Sequence, residues 1–145
     1  MLEEQFIEFS PGGTDLVDAT ILVDESDFAG VKIAARNLSW DFARVTKKDP
    51  LPVGTVENSK DITTGGSRVA IIVGCVESSP LLQRLERENG VQYNAIRGKW
   101  ESFLTVLVDK PLAGCFDKAL VIAGSDKRGA IFGIYTLSEQ IGVSP

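Results

Sequence analysis

The stretch KALVIAGSDKRGAIFGIYTLSEQI, from Lys118 to Ile141, decides the fold. Its first part, up to Ala123, is a short apolar run of the kind that forms a buried strand. A helix then begins at Asp126 or Lys127 and extends to the end of the stretch, because its apolar residues recur at spacings of three and four. A strand that passes through a tight glycine turn into a helix indicates an α/β domain.

Three further segments have the pattern of strands. Ala19–Val23 and Arg68–Gly74 are apolar, β-branched runs, which are typical of strands buried on both faces. Trp100–Val108 alternates in polarity and predicts another strand. Only the short connection Pro111–Asp117 separates it from the strand that begins at Lys118, and so short a connection favours an antiparallel hairpin.

Two helices separate the early strands. Phe28–Lys47 places apolar side chains three and four residues apart, and Pro50 stops this helix. Ser79 and Pro80 suit the N-cap and the first position of a second helix, which Gly90 ends. The predicted order is β-α-β-α-β-β-α, a mixed sheet of about four strands with packed helices.

The chain of 145 residues suits one domain. Residues 1–18 predict an extended lead-in with a turn at Pro11–Gly13, and residues 19–145 form the α/β domain. Residues 49–67 are rich in Pro, Gly, Ser and Thr, which predicts a surface loop.

Composition excludes several classes of protein. Fifteen basic and 20 acidic residues give a net charge of −5, which argues against a nucleic-acid binder. The chain has no histidine, so it holds neither a Ser-His-Asp triad nor a histidine-rich zinc site. The acidic N-terminus lacks the apolar core of a signal peptide, and no apolar run approaches the roughly 20 residues that span a membrane.

We expect no metal and no cofactor. Cys75 and Cys115 lack CxxC spacing, which argues against zinc. Two buried free thiols are the simpler expectation for them, and one disulfide is the alternative in a secreted protein. Asp24, Glu25 and Asp27 cluster after a strand and have the chemistry to hold a hard cation. An acidic turn before a helix explains the same three residues without a metal.

The turn Gly124–Gly129 begins the last helix with free backbone N–H groups beside Lys127 and Arg128. Such a turn is a candidate anion site, with a capped turn bearing exposed charges as the alternative. Its glycine spacing differs from the G-x-G-x-x-G dinucleotide fingerprint. Gly129 and Gly133 lie on one helix face, which would let that face approach another backbone closely.

Trp100 offers a platform on which a sugar ring can stack, and Arg97 or Lys99 could clamp a carboxylate. The alternative is a strand start with one aromatic side chain in the core. The candidate substrate-binding residues are Arg97, Lys99, Trp100, Asp126 and Arg128.

These residues carry a family resemblance. The tail Ala119–Pro145 resembles the N-terminal domain of glycoside hydrolase family 115, whose members are xylan α-1,2-glucuronidases. The segments Ile21–Asp24, Asp41–Thr46 and Arg97–Glu101 are similar to the same family, and the resemblance covers residues 19–145. The family more often has Thr, Tyr and Asp at the positions of Ala130, Phe132 and Thr136.

The resemblance implies an α/β domain like the second domain of β-hexosaminidases, followed in the family by a (β/α)8 barrel. That family removes glucuronic acid or its 4-O-methyl ether from xylan with inversion, which requires two carboxyl groups roughly 6.5–9.5 Å apart. The barrel supplies both groups, so no catalytic residue is expected in this chain.

The resemblance thus predicts a non-catalytic fragment of an extracellular glucuronidase. Its partners would be the missing barrel, seated on the face of Gly129 and Gly133, and glucuronoxylan through the full enzyme. One alternative is a stand-alone binding module for an acidic sugar. Another is a nucleotide-binding domain that holds phosphate at Ser125–Gly129.

Overall fold

Five strands and four helices make up the part of the chain that the computed structural model describes, namely Leu16, residues 18–57, Ile62 and residues 68–142. The strands are β1 (Thr20–Asp24), β2 (Val53–Val56), β3 (Val69–Cys75), β4 (Phe103–Asp109) and β5 (Lys118–Gly124). The helices are α1 (Ala29–Thr46), α2 (Pro80–Asn89), α3 (Pro111–Gly114) and α4 (Lys127–Gln140).

The strands form one mixed sheet in the order β2-β1-β3-β5-β4. The first four strands of this order are mutually parallel. β4 runs antiparallel to β5, with Phe103 opposite Gly124 and Asp109 opposite Lys118. The prediction of a mixed sheet with an antiparallel edge hairpin is therefore confirmed.

Helices cover both faces of the sheet. Alternate strand residues such as Ile21, Ile71 and Ile122 pack beneath α1 and α4. The intervening residues, such as Leu22 and Ile72, pack against α2 on the opposite face. Burial on both faces explains why the central strands are continuous apolar runs rather than alternating ones.

The predicted helix ends are present. The Ser79 hydroxyl accepts a hydrogen bond from the Leu82 amide at 3.2 Å, and Gly90 ends α2 in the left-handed region at φ 69°. On the other face of the sheet, α1 and α4 are joined by a buried hydrogen bond of 2.8 Å from the Ser138 hydroxyl to the Asp41 carboxylate.

The strand β2 is at odds with two expectations from the sequence, a surface loop over residues 49–67 and a sheet of about four strands. β2 lies inside that segment and is the fifth strand. It has only four residues, one of them Gly54, and proline precedes it, so its sequence carries little strand pattern. Its parallel ladder with β1, from Ile21 opposite Val53 to Asp24 opposite Val56, holds it in the sheet.

The predicted lead-in falls mostly outside the described residues, and so does its turn at Pro11–Gly13. Leu16 is described, and it is buried in the core between the sheet and α1. No helix in the described ranges is long and apolar enough to cross a membrane.

Candidate functional site

The carboxyl ends of the parallel strands meet at one edge of the sheet, which is where open α/β sheets bind ligands. β1, β2, β3 and β5 all end at this edge, and β4 begins there. Two polar clusters lie along it. One is between β1 and β3, and the other is where the chain segment before β4 meets the start of α4.

The first cluster lies where the strand order reverses. β2 follows β1 in the chain and lies on one side of it, whereas the next strand, β3, lies on the other side of β1. Asp27 fills this position. Its carboxylate accepts hydrogen bonds from the Cys75 amide at 3.0 Å, the Ser78 hydroxyl at 3.1 Å and the Phe28 amide at 2.9 Å. A Cβ atom on Gly74 would lie 2.7 Å from the same carboxylate, so backbone and side chain are closely packed there.

The electrostatics of this cluster are those of a packed interior. Burial raises the pKa of Asp27 against the effect of its hydrogen-bond donors. Burial and the neighbouring Asp27 charge raise the pKa of the Cys75 thiol to about 12, so the thiol stays protonated at neutral pH. The Asp24 carboxylate is also fully buried, and its Oδ2 atom has no hydrogen-bond partner among the described residues. Within the described ranges, no group of three or more His, Cys, Asp or Glu side chains is placed to hold a metal ion.

The two cysteines differ. Cys75 is buried in β3, whereas Cys115 is exposed, and both are free thiols. The expectation of two buried thiols is therefore wrong for Cys115, which follows the turn of α3 at the surface.

In the second cluster, the segment Trp100–Ser102 is fixed to the turn before α4 by three hydrogen bonds. The Ser125 amide donates to the Ser102 carbonyl at 2.8 Å, and the Ser102 amide donates to the Ser125 hydroxyl at 3.0 Å. The Glu101 amide donates to the Asp126 carboxylate at 3.0 Å. We call this unit, Trp100–Ser102 with Ser125–Arg128, the Trp100 loop cluster.

Asp126 also caps α4. Its Oδ1 atom accepts a hydrogen bond from the Gly129 amide at 2.8 Å. The Glu101 and Gly129 amides that donate to it lower the pKa of its carboxyl group. This carboxylate takes the place that an external anion would take at the helix start. The geometry therefore favours the capped turn over the anion or phosphate site.

Trp100 is 86% exposed, so it is not the core aromatic of a strand start. The strand begins at Phe103, three residues later than predicted, because Glu101 adopts a left-handed backbone conformation with φ 50° that is incompatible with a strand. Arg128 lies beside this segment, with its guanidinium 3.5 Å from the Glu101 carboxylate.

The structure brings together only some of the predicted site residues. Trp100, Asp126 and Arg128 all belong to the Trp100 loop cluster. Arg97 instead pairs with Glu86 of α2 at 3.3 Å, away from that cluster. Lys99 is exposed and forms no ion pair with any residue that the structure describes.

Sequence reasoning missed the two serines and Glu101, whose hydrogen bonds fix the Trp100 segment. The only sequence signal for them was the Ser125-Asp126 pair directly before a helix, a pattern that suits an N-cap. Nothing local in the sequence shows that this cap also bonds a segment twenty-odd residues earlier.

The glycine face of α4 packs inside this chain. A Cβ atom on Gly133 would lie 2.5 Å from the Ile122 side chain and 3.0 Å from the Phe103 ring, and one on Gly129 would overlap the Ser102 carbonyl. We therefore correct the expectation that this face seats a barrel, because β4 and β5 already occupy it. Phe132 and Tyr135, 47% and 46% exposed, mark the face of α4 that is open to a neighbour.

No protein-family model and no curated protein sequence matches the chain. Among solved structures it is similar to BtGH115A, a family GH115 4-O-methyl-α-glucuronidase with specificity for decorated arabinogalactans. The two share 26% sequence identity with a TM-score of 0.59. The match covers 88% of this chain but only 14% of that enzyme. The similarity indicates a distant relation to one part of a GH115 enzyme.

Proposed function

We propose that this chain is the non-catalytic N-terminal α/β domain of a GH115-type xylan α-1,2-glucuronidase. The observation that carries this proposal is the structural match, which extends over 88% of the chain and only 14% of a much longer glucuronidase. The sequence resemblance supports it, since the tail from Ala119 onward includes most of β5 and the whole of α4.

In this proposal a (β/α)8 barrel elsewhere in the enzyme supplies the acid and base carboxyl groups for inverting hydrolysis. The α/β domain, like the second domain of β-hexosaminidases, supports the barrel. The exposed side chains of Phe132 and Tyr135 suit that contact, because the glycine face of α4 is already filled. The enzyme acts outside the cell on polysaccharides that carry (4-O-methyl)glucuronic acid.

The test compares this chain with the protein encoded by the full reading frame of its parent gene. Both are incubated with glucuronoxylan and with a glucuronate-decorated arabinogalactan, and released 4-O-methylglucuronic acid is measured. We expect release by the longer protein and none by the chain of 145 residues. Release by the chain alone would contradict the non-catalytic role. A longer protein that is inactive on both polymers would contradict the proposal that the chain belongs to a GH115-type glucuronidase.

A second candidate function is a stand-alone binding module for an acidic sugar. The specific observation in its favour is Trp100, whose ring is 86% exposed on a segment held by three hydrogen bonds, with the exposed Lys99 cation next to it in sequence. An exposed indole on a backbone segment held in this way suits stacking against a sugar ring.

Calorimetry of the chain with glucuronic acid and with a glucuronate-decorated xylo-oligosaccharide tests this function. Binding should disappear in Trp100→Ala and persist in Trp40→Ala, which removes a tryptophan that is 60% exposed on α1. No heat at millimolar ligand would exclude the module.

A further inference from the structure

The outer edge of β4 has no partner strand among the residues that the structure describes. β4 pairs with β5 on one side only and is the last strand of the sheet. In the described part of the chain, no other backbone group hydrogen-bonds to Phe103–Asp109. Alternate residues of β4 hydrogen-bond to β5, so every second residue turns its N–H and C=O groups outward. Another extended strand is the structure that satisfies such groups.

This edge lacks the usual protection against pairing. Sheet edges are normally shielded by proline, by charged side chains or by bulges. Phe103–Val108 contains no proline and no charge, and its register with β5 is continuous. Leu104 and Val106 lie partly buried on the α2 face, and Leu107 lies partly buried on the α4 face. An added strand would thus meet apolar side chains on both faces.

A cavity of about 420 Å³ opens beside the second half of this edge. It lies between the end of α2 and β4, lined by Asn89–Gln92 and Val106–Asp109. In strand addition the backbone ladder provides affinity, and pockets for alternate side chains select the partner. The edge therefore has both features of a strand-binding site.

We propose that a second copy of this chain occupies the edge, with the two β4 strands antiparallel about a two-fold axis at Val106. In this register Leu104 of one copy lies opposite Val108 of the other, and Thr105 lies opposite Leu107. The two-fold axis is perpendicular to the sheet, so the α2 faces of both copies stay on the same side.

The reason to choose a second copy is self-complementarity. Strand residues alternate between faces, so Leu104, Val106 and Val108 share the α2 face. In each copy the cavity lies on the α2 face, next to Val108. Because Leu104 of one copy lies opposite Val108 of the other on that face, each Leu104 side chain is placed beside the other copy's cavity. The result is a continuous sheet of ten strands. This inference is independent of the proposed function.

The first test is the mass in solution, measured by sedimentation over a concentration range. We expect a species of twice the 15.6 kDa chain mass, and tighter association at higher salt because each copy carries a charge of −5. The variant Thr105→Lys places a lysine opposite Leu107 of the other copy, and the two-fold symmetry repeats this contact, so each dimer contains it twice. We expect the substitution to weaken association at least about tenfold. Val45→Lys, on the exposed surface of α1, adds the same charge away from β4 and should leave association unchanged.

A chain that is monomeric up to about millimolar concentration would overturn the proposal. So would equal association of the Thr105→Lys and Val45→Lys variants, since the dimer would then use another surface. Circular dichroism checks that both variants fold.

The second test needs no charged residue in β4. In a Cys115→Ser background, which removes the exposed thiol, Val106→Cys should form a disulfide-linked dimer under mild oxidation, because the residue on the axis faces its own copy. Leu104→Cys in the same background should not crosslink. Equal crosslinking of the two variants, or none with Val106→Cys, would contradict the register.

Discussion

At the scale of single residues, Asp126 links the helix start to the exposed tryptophan. One carboxylate oxygen caps α4 through the Gly129 amide, and the other holds the Glu101 amide next to Trp100. The sequence predicted the cap, since a short acidic side chain before a helix is a common N-cap. It did not predict the second bond, because that contact depends on how the hairpin places Glu101.

Replacing Asp126 separates these two roles. Asp126→Ala removes the cap, and we expect the free energy of unfolding to fall by about 1 kcal/mol. Asp126→Asn keeps a side-chain oxygen that can accept from the Gly129 amide, so this variant should be more stable than the alanine variant. It should be less stable than the wild type, because its amide group lies near the Glu101 N–H. Urea unfolding measures both, and equal stability of the two variants would show that the cap contributes little.

The pH dependence of stability follows from the same carboxylate. Its pKa is lowered in the folded chain from the ordinary value of 3.8, so its stabilisation is complete above that value and is lost as the pH falls through the lower folded pKa. Between pH 6 and the acid region, around pH 3, the wild type should therefore lose more stability than Asp126→Asn. Parallel pH profiles would contradict this assignment. Asp27, whose pKa shifts the other way, is common to both proteins and cancels in the comparison.

The cysteines should react differently. Cys75 is buried and its pKa is raised to about 12, whereas Cys115 is exposed. Iodoacetamide near pH 8 should modify Cys115 in the native chain and leave Cys75 unmodified until urea is added. Mass spectrometry of the digested protein shows the result, and native labelling of Cys75 would mean that β3 opens readily.

At the scale of elements, the sequence predicted those parts whose stability is local or periodic. α2 and α4 have recognisable caps, and the central strands are apolar throughout. β2 was missed because only its ladder with β1 makes it a strand. β4 was predicted to begin too early because the alternation of polarity continues through Trp100, whereas the backbone turns at Glu101.

The contact between α4 and the sheet can be tested with matched glycine variants. Gly133→Ala should lower the free energy of unfolding by about 1–3 kcal/mol, since its new methyl group would meet Ile122 and Phe103. Gly30→Ala, in α1, has its nearest neighbour 3.4 Å away and should be neutral or stabilising by up to about 1 kcal/mol through helix propensity. If Gly133→Ala also raises the melting temperature, α4 does not pack on β4 and β5 as described.

At the scale of the whole molecule, the carboxyl ends of the parallel strands meet at one edge of the sheet, as in other open α/β sheets. The point on that edge where the strand order reverses is occupied by a side chain of the protein itself. Asp27 occupies that point with three hydrogen bonds, so the position where many α/β domains hold a ligand is used for packing. The exposed features lie elsewhere, in the Trp100 loop cluster, on α4 and along β4.

The sequence resemblance to the GH115 family rests chiefly on the β5–α4 unit, and the structural match indicates only a distant relation to that family. The candidate site was predicted only in part. Trp100, Asp126 and Arg128 come together because the hairpin brings their segments to one edge, whereas Arg97 lies with Glu86 of α2. Side-chain partners of this kind depend on tertiary contacts, which residue spacing does not encode.

The most direct measurement is an experimental structure of the protein encoded by the full parent reading frame. We expect this α/β domain to rest on a catalytic barrel, with Phe132 and Tyr135 buried in the contact and the glycine face of α4 still packed on β4 and β5. A full-length protein without a barrel, or one whose barrel leaves both aromatic side chains as exposed as they are in the isolated domain, would contradict it.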